Sequence, residues 1–369
     1  MLFNQRATAL LQLPVFPFTW DSILKECTRL EEEFLDIPSE YKWALDYKRF
    51  EVERARGNNS MAIWYLKSAI ATAPYNNDIL GDYKELVKKT SGIKNLVLII
   101  TSKKNEAQVL RLAGQLDQAN IEYLIVSGYD TSSIKHIRAL QVDISDSHES
   151  EPQKVVAALT WVYENIGNNV GVMKVSDQMM LQDAEKLRQS LGQLGRENVY
   201  AGVPSNSFGL DRCQHWGLCR DQDLNRRVYG RPVLRDWASS GAYYLGPRPL
   251  EKVVLSLLRF PGLFEGEYYD DKLIGDTLVF ENEALTERKS YAEFGLVLPG
   301  SAVVSQPVAS TVSKTASAPA PAPATFTAAV APKKELTMAV PAAAPAVAKQ
   351  DAAPKKNSNP LKLSDWNNR

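Results

Sequence analysis

Two aspartates stand side by side in YYDDKLIGD, Asp270 and Asp271, ahead of an apolar stretch that reaches Gly275. Adjacent carboxylates raise each other's proton affinity, so that one of them can take a proton from a substrate near neutral pH. A helix starting at Lys272 would also use Asp271 as its N-cap, and a cap and a base can be the same residue. A third acidic residue, Asp177, ends the apolar run GVMKVS and is flanked by Ser176 and Gln178. One carboxylate with a hydroxyl and an amide is a poor set for a hard divalent cation. A helix beginning near Met179 would need only a side-chain oxygen there for its first N–H groups. Asp177 therefore reads as a weakened metal ligand, a helix cap, or both. Cys213, His215 and Cys219 in RCQHWGLC are of metal-binding type, but three ligands at that spacing, with no second Cys-x-x-Cys, fall short of a structural zinc pattern. Six arginines from Arg212 to Arg235 could neutralise phosphate or form a solvated basic loop.

These residues need elements to hold them. Residues 21 to about 90 have apolar positions three or four apart, broken by Pro, Gly or Asn, which predicts an antiparallel array of helices. From Lys94 the period changes. NLVLIITS and IEYLIVSG are continuous apolar runs of the kind that form strands buried on both faces, and NEAQVLRLAGQLDQAN between them has helical spacing. A further helix over residues 153–165 and a strand over 170–176 extend this β-α-β start into an α/β domain with a mostly parallel sheet. In such a domain the loops at the carboxyl ends of the strands hold the ligand. The first of those loops, TSKKNEA, lacks the G-x-G-x-x-G dinucleotide fingerprint.

The rest of the composition narrows the field. Forty-three basic and 43 acidic residues leave no net field to draw the chain to nucleic acid or an anionic membrane, so any charge-driven binding is local. Three cysteines cannot form a disulfide framework, and a reducing, cytoplasmic setting is expected. The first twenty residues lack a basic n-region, Pro14 and Pro17 break their apolar run, and no stretch of about 18 apolar residues occurs, so neither a signal peptide nor a membrane span is expected. Nine of the 20 prolines fall between Pro307 and Pro360 among many alanines. That segment cannot bury enough apolar surface to offset its ordering entropy and reads as an extended tether, ending in the short motif NPLKLSDWNNR.

Four blocks follow one another in order: GVMKVSDQMM, YAGVP, WASSGAYYLGPRPLEKV and EGEYYDDKLIGDTL. Together they resemble the nucleotide-sugar glycosyltransferases of the GT-A fold, in the fringe and β-1,3-galactosyltransferase-like group, over about residues 94 to 285. The resemblance implies a lysine-bearing strand, Lys174, leading into a metal motif at Asp177 for Mn or Mg. It also implies a serine-rich turn at Ser239, Ser240 and Gly241, and a carboxylate pair with Asp271 as base beside Asp270. Thr101, Ser102, Lys174, Ser176, His215, Trp237, Ser240 and Gly241 become candidate contacts for a nucleotide-sugar donor and a glycan-like acceptor. Trp237 would stack on the acceptor or, in the plainer reading, fill the core. Residues 43 to 77, with Ala44, Tyr47, Ala62, Tyr65, Ala69 and Pro74, resemble one tetratricopeptide-type hairpin. Three parts are thus expected: a helical region over 1–92, a GT-A-like domain over 93–298, and a tail over 299–369. The helical region and the tail are candidate surfaces for a protein partner. A non-catalytic relative that binds a glycan or a protein is the alternative, since only one acidic residue remains at 176–178.

Overall fold

Asn95–Ile100 carries five aliphatic side chains in a row, a composition stable in a strand only when both faces are covered. It forms β1 and is buried from Leu96 onward. The structure, a computed structural model, describes residues 3–101, 105–129, 134, 136–205, 220–223 and 236–298. All of them belong to one compact unit, Met1–Ser301. Ser102, the Arg212 to Arg235 segment apart from residues 220–223, including His215, and the Ala/Pro segment lie outside the described residues.

Five helices come first: α1 (Phe3–Leu11), α2 (Trp20–Glu33), α3 (Ser39–Ala55), α4 (Asn59–Thr72) and α5 (Asn77–Val87). The first three bury Phe3, Leu10, Ile23, Cys27, Leu30, Leu45 and Val52 in a core of their own. The Asn76 side chain caps α5, accepting the Asp78 and Ile79 N–H groups. After β1 come α6 (Glu106–Gln118), β2 (Tyr123–Ser127), β3 (Ala139–Gln141), α7 (Glu151–Asn165), β4 (Gly171–Ser176) and β5 (Met180–Leu181). They are followed by α8 (Ala184–Leu194), β6 (Tyr200–Ser205), β7 (Trp237–Leu245), α9 (Pro247–Arg259), α10 (Asp270–Phe280), β8 (Glu287–Arg288) and β9 (Leu296–Val297). The helical array is fastened to the α/β part by Tyr83 Oη donating to Glu164 at 2.7 Å, the Lys84–Glu251 ion pair at 2.5 Å, and Arg259 Nε donating to Pro74 O at 2.7 Å.

Seven strands form a sheet in the order β3-β2-β1-β4-β7-β6-β8, and β5 pairs with β9 in a separate ribbon. Every neighbouring pair in the large sheet is parallel except the two that involve β7. Side chains alternate across it. Val97, Ile99, Tyr123, Ile125, Met173, Val175, Ala242 and Tyr244 share one core with α6 and α8. The opposite parity, which includes Lys174, faces α7 and α10, where its ammonium meets Glu151 and Asp270. No helix among the described residues is long and apolar enough to cross a membrane.

Three local expectations are corrected. Residues after Met179 do not start a helix: Met180–Leu181 pairs with Leu296–Val297, and α8 begins at Ala184. Its cap is Asp183, which accepts the Lys186 N–H at 2.9 Å, so α8 is not capped by Asp177. Ser239, Ser240 and Gly241 are not a turn but part of β7, bulged where the ladder to β6 slips between Gly202 and Pro204. A bulge leaves backbone groups unpaired and available to side chains. Helix α10 begins at Asp270 with Tyr269 as its cap position, so Asp271 lies inside the first turn rather than capping a helix at Lys272.

Helix α10 reaches β7 so closely because of Gly275, where an added Cβ would overlap the Cβ of Trp237. Gly275→Ala is therefore expected to cost about 1–3 kcal/mol, the usual range for overpacking. It should lower the urea midpoint without changing the slope. An unchanged midpoint would mean that α10 can shift off the sheet freely.

Candidate functional site

The parallel register puts Ile100 beside Ser176, so the residues that follow them, Thr101 and Asp177, meet at the carboxyl edge of the sheet. Thr101 Oγ1 donates to Asp177 Oδ2 at 3.1 Å, and the Asp177 N–H donates to Ile100 O at 3.1 Å. Buried Lys154 of α7 ties this edge together: its Nζ donates to Thr101 O at 3.0 Å and to Asp146 Oδ1 at 2.9 Å. The same Asp146 oxygen accepts the Gly128 N–H just beyond β2. The ends of β1, β2 and β4 are thus cross-linked by one ammonium and two carboxylates.

Three residues back along β4, roughly 10 Å at strand rise, lies the second cluster. Lys174 is fully buried, and its Nζ donates to Ser240 O at 2.7 Å and to Asp270 Oδ2 at 3.1 Å, with Glu151 Oε1 at 3.6 Å. Burial alone would lower its proton affinity, but Asp270 and Glu151 outweigh that and raise it, so the side chain is an ammonium. Asp270 also accepts the Tyr243 hydroxyl at 3.0 Å. Its own proton affinity is pushed up by burial and pulled back by Lys174. Asp271 makes no such ion pair: its Oδ2 accepts the Ser240 N–H at 2.9 Å and its Oδ1 the Lys272 N–H at 2.8 Å. Burial first, and the charge of Asp270 second, raise its pKa to about 7. The Trp237 indole N–H is close enough to favour the ionised carboxyl, yet stays short of hydrogen-bond geometry and has no other partner.

The structure therefore brings Lys174, Ser240, Asp270 and Asp271 into direct contact, and Thr101 and Asp177 into a neighbouring pair. Ser176 is half-buried and accepts the Gln178 N–H. Trp237 is 5 % exposed and packs on Gly275, so its indole is a core group in this structure rather than a stacking face. Gly241 is overlain by the Tyr291 ring, whose hydroxyl donates to Ser239 Oγ at 3.0 Å. Sequence reasoning missed Glu151, Lys154, Asp146 and Tyr243. The signal for Lys154 was present: it is a lone lysine on the apolar face of EPQKVVAALTW, a position that demands a buried partner.

A divalent cation at Asp177 needs several charged oxygens. Among the described residues no group of three His, Cys, Asp or Glu side chains is placed to hold a metal ion, and the described side chains beside Asp177 are a threonine hydroxyl, a serine and a glutamine. Manganese or magnesium alone is expected to bind no tighter than about millimolar, the range of the weakest all-oxygen sites. Micromolar binding in a calorimetric titration, abolished by Asp177→Ala, would reverse this. No model of a known protein family matches the chain, and no curated protein does.

Proposed function

We propose that the chain is a GT-A-type glycosyltransferase acting in the cytoplasm. In this reading it moves a sugar from a nucleoside diphosphate donor to a hydroxyl of a glycan-like acceptor. The acceptor oxygen forms the bond to the anomeric carbon, the bond from that carbon to the diphosphate breaks, and the acceptor proton passes to Asp271. A single displacement of this kind inverts the anomeric centre. The observation that carries the reading is the state of Asp271: a carboxyl aimed by two backbone N–H groups and poised near neutrality beside a second aspartate. Separation of two carboxylates by environment is how a fold assigns a base at neutral pH. A seven-stranded, mostly parallel sheet between helices, with polar residues gathered at its carboxyl edge, is consistent with a nucleotide-binding crevice there. Arginines of the Arg212 to Arg235 segment would share the diphosphate charge in place of a metal.

A second reading has its own support. Asp270 is 3 % and Asp271 8 % exposed, and a single carboxylate stands at 176–178, as in a GT-A-like scaffold that binds a glycan or a protein without catalysis. A thermal-shift screen of nucleotide sugars against the full chain, with and without manganese, separates the two. A ligand at a hundred times its Kd stabilises the folded state by about 2.7 kcal/mol, so one donor class is expected to raise Tm, equally with and without the metal. No shift with any donor would leave the scaffold reading standing.

A further inference from the structure

Two adjacent aspartates with the same side chain need something to make them different. We propose that Lys174 is the positioning residue that does so: it takes Asp270 and the Ser240 carbonyl for itself, leaving Asp271 as the carboxyl that accepts a proton. The assignment rests on the transferase reading for its purpose, but the device stands on geometry alone.

The buried ammonium of Lys174 has three N–H groups and three acceptors around it, Ser240 O, Asp270 Oδ2 and Glu151 Oε1. Its charge is met inside the protein, whereas the resemblance implied a contact with donor or acceptor. Asp270 Oδ2 receives a cation and the Tyr243 hydroxyl together, whereas the contacts of Asp271 are backbone N–H groups. The two environments share one peptide. Lys174 grips the carbonyl of Ser240 while Asp271 receives the N–H of the same residue, so the bulged stretch of β7 links the cation to the orientation of the base. Among the groups around the pair, Lys272 of α10 turns its ammonium to Asp276 and Glu267, and Tyr200 of β6 and Tyr243 of β7 are phenols held protonated by burial. Glu151 of α7 faces Lys174. Among the described residues, Lys174 of β4 is thus the cation in contact with one aspartate of the pair and not the other.

The test reads protonation directly in the full chain labelled with 13C at aspartate carboxyls, with no donor or acceptor present. In the wild type one aspartate should titrate near neutrality and vanish in Asp271→Asn. In Asp270→Asn that midpoint should move to lower pH, because the like charge that holds it up is gone. In Lys174→Met, Asp270 loses its cation and its transition should move to higher pH, toward that of Asp271. The charge-balanced double variant Lys174→Met with Asp270→Asn guards against a misfolded single variant. It should show one Asp271 transition below the wild-type midpoint, since the raising effect of Asp270 exceeds the lowering effect of Lys174. A merely structural lysine would change stability and leave these midpoints in place. An Asp271 midpoint that stays put in Asp270→Asn and in the double variant, with Asp270 silent in Lys174→Met, overturns the proposal. Because no sugar is used, that outcome is distinct from failure of the transferase reading, which a donor screen reports by itself.

Discussion

On the transferase reading proposed above, Asp271→Asn is expected to lower sugar transfer at least about a hundredfold at neutral pH, the usual scale for a positioned base, with donor affinity nearly unchanged. An amide cannot take the acceptor proton, yet it fills the same volume. Its oxygen can keep one of the two N–H groups of Ser240 and Lys272, and its NH2 must face the other, so a small local cost is expected and a melting curve is the control. The pH profile gives the sharper result. Since burial and Asp270 lift Asp271 to about 7, the wild-type rate should fall as pH drops through that value and level off above it. The same shift has a consequence for stability. A carboxyl whose folded-state pKa lies above its ordinary 3.8 binds its proton more tightly when folded, so the stabilisation it contributes is full below about 3.8 and is lost as pH rises through about 7. By the pH at which Asp271 becomes a competent base, the stabilisation from its bound proton has therefore been lost. An Asp271→Asn protein that transfers sugar at the wild-type rate would move the base elsewhere, with Asp270 the next residue to test.

Hydrophobic period made most of the frame readable. The aliphatic runs that become β1, β2 and β4, and the 3.6-residue spacing of α2 to α7, were visible because burial on two faces or on one stripe dictates the pattern directly. The errors fell where a short element depends on a distant partner. Met180–Leu181 is a strand only because Leu296–Val297 comes beside it from more than a hundred residues away, and that pairing moves the cap of α8 from Asp177 to Asp183. Ser239, Ser240 and Gly241 were expected as a turn because the resemblance put one before a Tyr-rich strand, yet they lie within β7 with the irregularity taken up by slippage against β6. At the site, the aspartate pair was legible as a local sequence feature. Lys174 was noticed as a ligand contact but its protein partners were not, since a single lysine in a buried run signals a compensated charge without naming the compensator. Asp270 lies 96 positions further along the chain, and the α7 carboxylate of Glu151 reaches the same ammonium from a third element.

The second large effect is expected from that lysine. Lys174→Met should destabilise the fold by about 3–5 kcal/mol, the range seen when one partner of a buried ion pair is removed. The cost arises less from a lost attraction than from what is left behind: Asp270, whose side chain is 4 % exposed, must either stay charged without a cation or take up a proton. The Ser240 carbonyl also loses its donor. Removing the carboxylate as well should recover much of the loss, because methionine and asparagine together bury no net charge and Glu151, 27 % exposed, can turn to water. Urea denaturation of the wild type, both single variants and the double variant closes a thermodynamic cycle whose coupling term reports the pair itself. A coupling of roughly 1–3 kcal/mol is expected for groups in contact. Additive losses would mean that Lys174 and Asp270 are stabilised separately by their other partners, Glu151 and Tyr243. In that case the lysine would lose its claim to set the two aspartates apart.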